Sequence, residues 1–226
     1  MENRIKPLKH MRNRDAILVH EIYASIQGES TYAGVPCVFI RTTVCHLRCT
    51  YCDTAHAFEH GNELSLDEII EKIVSYQIKT IELTGGEPLL QRPVFELMTR
   101  LCDLGYTVLL ETSGAVNIQA VDRRVHAIVD VKSPGSGESH RNCLKNLEIL
   151  WPECEVKFVI GDEVDYEFAK RITAQYDLTS KNTVLFSPEA PKMSPTQLAE
   201  WIMRDRLSVR FQVQLHKVLW GDANGV

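Results

Sequence analysis

Cys45, Cys49 and Cys52 fall within the eight residues CHLRCTYC. Thiolates are strong metal ligands, and a Cx3Cx2C spacing on a short loop points three of them at one centre. A disulfide needs two thiols and a closed zinc site usually takes four ligands. A cubane 4Fe–4S cluster has four irons and is commonly held by four cysteines. Held by three, it keeps one iron open to an outside ligand. The competing reading is zinc bound by three cysteines and one histidine, with His46, His56 or His60 near enough in sequence to complete it.

TGGEP (84–88) is the second stretch able to do chemistry. Paired glycines admit close approach to the main chain. Glu87 offers a carboxylate to a cationic group such as the ammonium of an amino acid, and Pro88 stiffens the exit. Alone, GGEP reads equally well as an ordinary strand-to-helix turn. Arg41, four residues before the first cysteine, carries a planar, permanently charged fork suited to a carboxylate. Gln27 has both a donor and an acceptor on its amide, and with the backbone of Ile26 and Gly28 it can read a polar heterocycle edge. Glu29 can accept N–H groups from the same edge.

The elements that must position these residues follow from periodicity. AILVHEIYASI (16–26) reads as a strand or hairpin arm, and GVPCVFIRTT (34–43) as a buried strand ending at the cysteine loop. LSLDEIIEKIVSYQ (64–77) is a helix with a Ser65–Glu68 capping box and an apolar face of Ile69, Ile70, Ile73 and Val74. Strands at 81–84, 106–112, 126–132, 155–160 and 182–188 follow, with helices over 92–105, 161–176 and 194–205. Gly105 closes the first of these helices, while Ser194 and Pro195 open the last. RNCLKNLEILW is a short helix or loop, and LSVRFQVQLH (207–216) closes the set as a last strand carrying His216. Strands alternate with helices in about six βα units. That pattern predicts an α/β fold with parallel strands and right-handed crossovers. Six units fall short of the eight of a closed TIM barrel, so a partial, open TIM-like barrel is expected, with chemistry at the carboxyl ends of the strands.

Composition sets the bounds. The chain has 226 residues, is 44% hydrophobic and carries a formal net charge of −5. It reads as one domain over 1–226 with a frayed basic lead-in at 1–15. The acidic balance disfavours a broad nucleic-acid surface. No apolar run approaches the length of a membrane span, and no secretion signal is visible. Seven cysteines, four of them scattered singly (37, 102, 143 and 154), fit a reduced, cytoplasmic protein and not a disulfide framework.

Cx3Cx2C after one strand and GGEP after the next together resemble the radical S-adenosylmethionine superfamily. In order along the chain stand IYASIQGES (22–30), FIRTTVCHLRCTYCDT (39–54), TGGEP, LETSG (110–114), DVKSPGSG (130–137) and QLHK (214–217). Spread over most of the sequence, they are similar to the 7-carboxy-7-deazaguanine synthase family. The resemblance implies a lyase that contracts the ring of 6-carboxy-5,6,7,8-tetrahydropterin and expels ammonia, on the way to deazapurines including queuosine of tRNA. It implies a 4Fe–4S cluster on Cys45, Cys49 and Cys52. It implies S-adenosylmethionine held by Tyr51, Cys52, Asp53, Gly86 and Glu87, with Ser133, Pro134 and Gly135 beside it. It implies Mg²⁺ on Thr54, and substrate contacts from Ile26, Gln27, Gly28, Glu29, Arg41, Thr84, His216 and the C-terminal Val226. A reductant such as flavodoxin or ferredoxin and a homodimer complete what the resemblance implies; no nucleic-acid or membrane partner is expected.

The chain departs from the family pattern in two places. It has QGES with Ser30 where QGEG is frequent, and it ends in DANGV where proline is frequent, which puts a role for Val226 in doubt. Two other readings compete. A glycyl-radical-activating enzyme shares the cysteine spacing but needs a groove for a protein loop. A non-catalytic zinc or iron–sulfur binding module needs a fourth protein ligand.

Overall fold

The computed structural model describes residues 2–221, 223 and 225. Nine strands form one sheet: β1 (Ile17–Ile26), β2 (Pro36–Thr42), β3 (Asn62–Leu64), β4 (Thr80–Gly85), β5 (Thr107–Thr112), β6 (His126–Asp130), β7 (Glu155–Ile160), β8 (Thr183–Pro188) and β9 (Arg210–Phe211). The helices are α1 (Lys6–Lys9), α2 (Leu66–Ser75), α3 (Pro93–Asp103), α4 (Glu163–Gln175), α5 (Pro195–Asp205) and α6 (Leu215–Trp220). Strand order is β3-β1-β2-β4-β5-β6-β7-β8-β9. From β2 to β9 every neighbouring pair is parallel. β1 runs antiparallel to β2 and to β3. The sheet does not close, which is the partial barrel expected from the sequence.

Alternation along the strands decides what each face holds. In β4, Ile81 and Leu83 are fully buried under the helices, while Glu82 and Thr84 point to the other face. In β7, Val156, Phe158 and Ile160 enter the core while Lys157 faces the concave side. Glu111 and Asp130 repeat the pattern at the ends of β5 and β6. The outer face therefore packs on α2 and α3 in one half and on α4 and α5 in the other. Each fully buried Leu, Ile or Phe there contributes about 1.5–3 kcal/mol. The inner face holds a small apolar cluster, Leu109, Ile128 and Leu185, with Phe39 and Val159 nearby, and carries the charged and polar residues of the cavity.

Several elements differ from the sequence expectation. The capping box forms, with Glu68 N donating to Ser65 Oγ at 3.3 Å and Ser65 N donating to Glu68 Oε2 at 2.7 Å. The buried stripe of α2 is Leu66, Ile69 and Ile73, while Val74 is 55% exposed. Positions 66, 69 and 73 lie one above another on the helix, and 74 rotates past the sheet. The crossovers β5–β6 and β6–β7 contain no α-helix; Ile118, Val121 and Val125 cover the first from a loop, and 3-10 turns build the second. The last strand shrinks to Arg210–Phe211, because the edge pairs with β8 over two residues only, and His216 sits on α6. The lead-in is not frayed over its whole length. Residues 2–9 form two short helical turns, and Arg4 Nη1 reaches Glu138 at 2.8 Å and the His46 carbonyl at 3.0 Å.

Candidate active site

The cysteine loop leaves the carboxyl end of β2 through a strained residue. Val44 has φ +81°, a left-handed value that a β-branched side chain resists, at a cost on the order of 1–3 kcal/mol. Neighbours hold it there. Val44 N donates to the Ala57 carbonyl at 3.0 Å, and Glu87 N donates to the Val44 carbonyl at 2.8 Å. A Cβ on Gly86 would lie 2.2 Å from the Val44 carbonyl oxygen, and one on Gly85, at φ +138°, 2.3 Å from that of Thr42. The glycine pair thus lets the β4 loop lie flat against the root of the thiol loop. Further along, Arg48 donates to the carbonyls of Cys45 (2.8 Å) and Leu47 (2.6 Å) and lies over the Phe58 ring.

Cys45, Cys49 and Cys52 all line one cavity of about 500 Å³ on the concave face. Burial pushes the Cys45 thiol up to about 11 and Cys49 upward as well. Ligands on one tetrahedral zinc lie about 3.8 Å apart for Zn–S bonds of about 2.3 Å. Among the described residues, no set including a cysteine gathers three such ligand atoms within 4.8 Å of one another. His46 does not line the cavity. Three thiols lining one cavity suit the broader span of a cluster. Two buried polar atoms bordering the same space lack a partner within the protein, the Tyr51 hydroxyl and Asp130 Oδ1. They fit a polar cofactor beside the thiols.

The cavity also gathers Ile26, Gln27, Gly28, Glu29, Arg41, Thr84 and His216 from the substrate set, and Asp53, Thr54 and Gly86 from the cofactor and metal sets. Thr54 Oγ1 is 3.7 Å from Cys52 Sγ. His216 packs over Gly28, where a Cβ would meet its Nδ1 at 2.1 Å, and burial pulls its pKa down. Arg41 reaches the cavity with Nε on Glu21 Oε1 at 2.7 Å and Nη2 on the Tyr23 hydroxyl at 2.9 Å. These use two of the five guanidinium N–H groups and leave the Nη1 end for a ligand.

Other expected residues sit differently. Glu87 is fully buried and does not line the cavity. Its carboxylate accepts from Leu89 N (3.0 Å), Thr112 Oγ1 (2.9 Å), Ser113 N (2.8 Å) and the Ser113 hydroxyl. These contacts tie the β4 and β5 loops together. Ser133, Pro134 and Gly135 lie behind the thiol loop, where Thr50 Oγ1 donates to the Gly135 carbonyl at 2.8 Å and Thr50 N to that of Ser136 at 3.1 Å. Glu29 is committed to Lys157 (2.7 Å) and to Gln214 Nε2 (2.7 Å). Val226 lies outside the described residues.

The cavity floor holds residues that the motifs did not single out. Lys157, 7% exposed, meets Glu111 at 2.5 Å, Glu29 at 2.7 Å and Asp130 at 3.8 Å. Lys132 pairs with Asp130 at 2.7 Å beneath the Tyr51 ring. Gln27 Nε2 donates to Glu82. Burial and the charge of Glu29 push Glu82 up to about 7. Burial alone would push Glu29 up too, but the Lys157 ammonium and its hydrogen bond outweigh this and hold Glu29 at about 2. A charged residue at an inward position of a buried strand was the available signal in IELT, LLET and EVKFVI.

An incomplete parallel barrel with three open thiols at the carboxyl ends of its strands defines the radical S-adenosylmethionine class, and residues 39–134 match the Radical SAM superfamily. A Chlorobaculum tepidum protein named 7-carboxy-7-deazaguanine synthase is 45% identical over 212 residues, covering 92% of this chain and 96% of that protein. One of the same name from Koribacter versatilis is 44% identical over 219 residues, covering 89% and 96%. The chain belongs to the 7-carboxy-7-deazaguanine synthase family. The crystal structure of QueE from Escherichia coli superposes with a TM-score of 0.74 at 21% identity, over 94% of this chain and 98% of that one, a likeness of fold.

Proposed function

We propose that this chain is a radical S-adenosylmethionine lyase that converts 6-carboxy-5,6,7,8-tetrahydropterin to 7-carboxy-7-deazaguanine with loss of ammonia, for deazapurines such as queuosine. One observation carries the reading. The three thiols, the Arg41 guanidinium and the buried polar floor open onto a single cavity whose volume suits a small ligand.

Cys45, Cys49 and Cys52 hold the cluster, with Tyr51, Asp53 and Gly86 beside the cofactor. When bound, the cluster and S-adenosylmethionine supply a 5′-deoxyadenosyl radical. The protein's part is placement. The Nη1 end of Arg41 takes the substrate carboxylate. The opposite edge of the pterin, rich in N–H donors, meets the acceptor-rich floor at Glu82, whose other contact is the Gln27 amide. His216 closes the cavity from α6. Held at both ends, the reacting carbon stays in one position relative to the thiol wall. Thr54 would offer its hydroxyl to Mg²⁺, an ion that prefers oxygen ligands. Ser133, Pro134 and Gly135 act by backing the thiol loop. Residues 1–226 act as one cytoplasmic domain, in a homodimer supplied with electrons by a flavodoxin- or ferredoxin-like protein. Among the described residues no helix is long and apolar enough to cross a membrane.

The test is product analysis under anaerobic conditions with reconstituted, reduced protein, S-adenosylmethionine and the carboxylated tetrahydropterin. Formation of 7-carboxy-7-deazaguanine with one ammonia per turnover is expected, faster with Mg²⁺ and less magnesium-dependent in Thr54→Ala. Cofactor cleavage that leaves the pterin unchanged overturns the substrate assignment.

A further inference from the structure

At the rim of the cavity next to Arg41, Glu21 and His56 line its wall and His20 stands with them. One ligand atom from each lies within 4.8 Å of the other two. We propose that these three side chains form a binding site for a divalent transition-metal ion, separate from the cysteine set.

The backbone brings them together by a specific device. Neighbouring residues of a regular strand face opposite sides of a sheet, so His20 and Glu21 of β1 would diverge. The pairing of β1 with β2 slips between Val19↔Thr42 and Glu21↔Arg41, which leaves His20 as the extra residue of a β-bulge. Bulges re-aim side chains in this way. His56 arrives from the 3-10 turn Ala55–Phe58 that follows the thiol loop. The two imidazole centroids are 5.2 Å apart with the rings tilted by 57°, so they do not stack.

His20 is oriented as a ligand. Its Nδ1 is 2.7 Å from the His60 carbonyl. A carbonyl only accepts, so Nδ1 carries a proton, and in the neutral imidazole Nε2 then keeps its lone pair. A backbone carbonyl fixing the tautomer of a histidine is the usual support behind a metal ligand. The carbonyl is itself held by Thr43 Oγ1 at 3.0 Å. Gly61 permits that approach, since a Cβ there would lie 2.1 Å from Thr43 Oγ1. Among the described residues the ring nitrogens of His56 have no hydrogen-bond partner. Glu21 gives Oε1 to Arg41 and keeps Oε2 outside that ion pair.

Two imidazoles and one carboxylate select zinc or a late first-row divalent ion over Mg²⁺ or Ca²⁺, which take oxygen. Three protein ligands leave a coordination position open. Glu21 is shared between this site and Arg41, so an ion here also competes with Arg41 for its carboxylate.

The experiment uses untagged protein with its cluster reconstituted, titrated with Zn²⁺ against a chromophoric chelator, with zinc-edge X-ray absorption on the loaded sample. One equivalent per chain with nitrogen and oxygen neighbours and imidazole scattering is expected. His56→Ala lies on an exposed turn and retains cluster absorbance as a check of folding; it should weaken Zn²⁺ binding by about 10-fold or more. His20→Ala should do the same, and Thr54→Ala should leave it unchanged. No stoichiometric zinc, equal affinity in His56→Ala, or sulfur neighbours to the zinc would each overturn the site. None of these readouts depends on turnover, so the proposal stands or falls apart from the assigned reaction.

Discussion

Lys157→Met tests whether the cavity floor is an electrostatic unit. The variant keeps the volume of the buried stem but leaves Glu29, Glu111 and Asp130 without the ammonium they surround. Breaking a buried ionic set by removing one partner costs about 3–5 kcal/mol. For a chain of this size each kcal/mol shifts Tm by about 2–4 °C, so a fall of roughly 6–20 °C follows. The pH dependence carries the sharper information. In the wild type Glu29 sits at about 2, against an ordinary 4.5. A depressed carboxylate stabilises above its unfolded value and loses that stability as pH falls towards 2. This is worth on the order of 3 kcal/mol at neutral pH. Without Lys157 burial carries Glu29 above 4.5 and its sign reverses: the folded variant is favoured when Glu29 is protonated and loses stability as pH rises, while Glu111, which burial already holds well above 4.5, rises further. The gap between variant and wild type should therefore be largest at pH 8 and narrow towards pH 5. Differential scanning calorimetry at both pH values on cluster-free protein measures it. A loss below 1 kcal/mol, or equal loss at both pH values, refutes the reasoning.

Cys45→Ala, Cys49→Ala or Cys52→Ala should each abolish cofactor cleavage and most iron after anaerobic reconstitution, whereas Cys102→Ala should retain both; iron per chain decides it. Arg41→Ala should weaken the carboxylated pterin by roughly 2–5 kcal/mol while leaving S-adenosylmethionine titrations unchanged, and Arg41→Lys should restore part because an ammonium lacks the fork. Glu82, raised from 4.5 to about 7, stabilises the fold below 4.5 and loses this as pH rises through 7, on the order of 3 kcal/mol. Glu82→Gln should flatten that decline, so that denaturant midpoints at pH 8 favour the variant; an unchanged pH slope excludes the assignment.

The parallel strands were legible because their alternating pattern and turn signals are local. The capping box of α2 and the Ser194–Pro195 start of α5 were legible for the same reason. What escaped was tertiary. The loop over 113–125 covers the sheet with three well-placed apolar residues, Ile118, Val121 and Val125, and no helical period announces them. LSVRFQVQLH alternates like a strand, yet an edge with one neighbour pairs over two residues and the chain turns into α6. That turn brings His216 to the cavity along a different route from the one expected.

The site shows the same division at finer scale. Residue types and spacing were enough to bring the three cysteines, Arg41, Gln27 and Thr54 to one cavity, because Gln27 follows β1 directly, Arg41 stands at the end of β2, and the cysteine loop with Thr54 leaves that same end. Spacing could not say which way a carboxylate turns. GGEP suggested a glutamate aimed at a ligand, but the two glycines remove the side chains that would hold the β4 loop away from Thr42 and Val44, and the loop's next residue is then drawn inward. Glu87 ends beneath the surface, where Thr112 and Ser113 of the β5 loop saturate it. The motif therefore works as a joint. It fixes the strained Val44 at the root of the thiol loop on one side and the end of β5 on the other, and so sets the thiol wall relative to the polar floor. The floor charges were visible in IELT, LLET and EVKFVI, but only the parallel order β4-β5-β6-β7 shows that Glu111, Asp130 and Lys157 neighbour one another on one face. A buried lysine facing three carboxylates is costly for folding unless each is paired, and the strand order supplies those pairings.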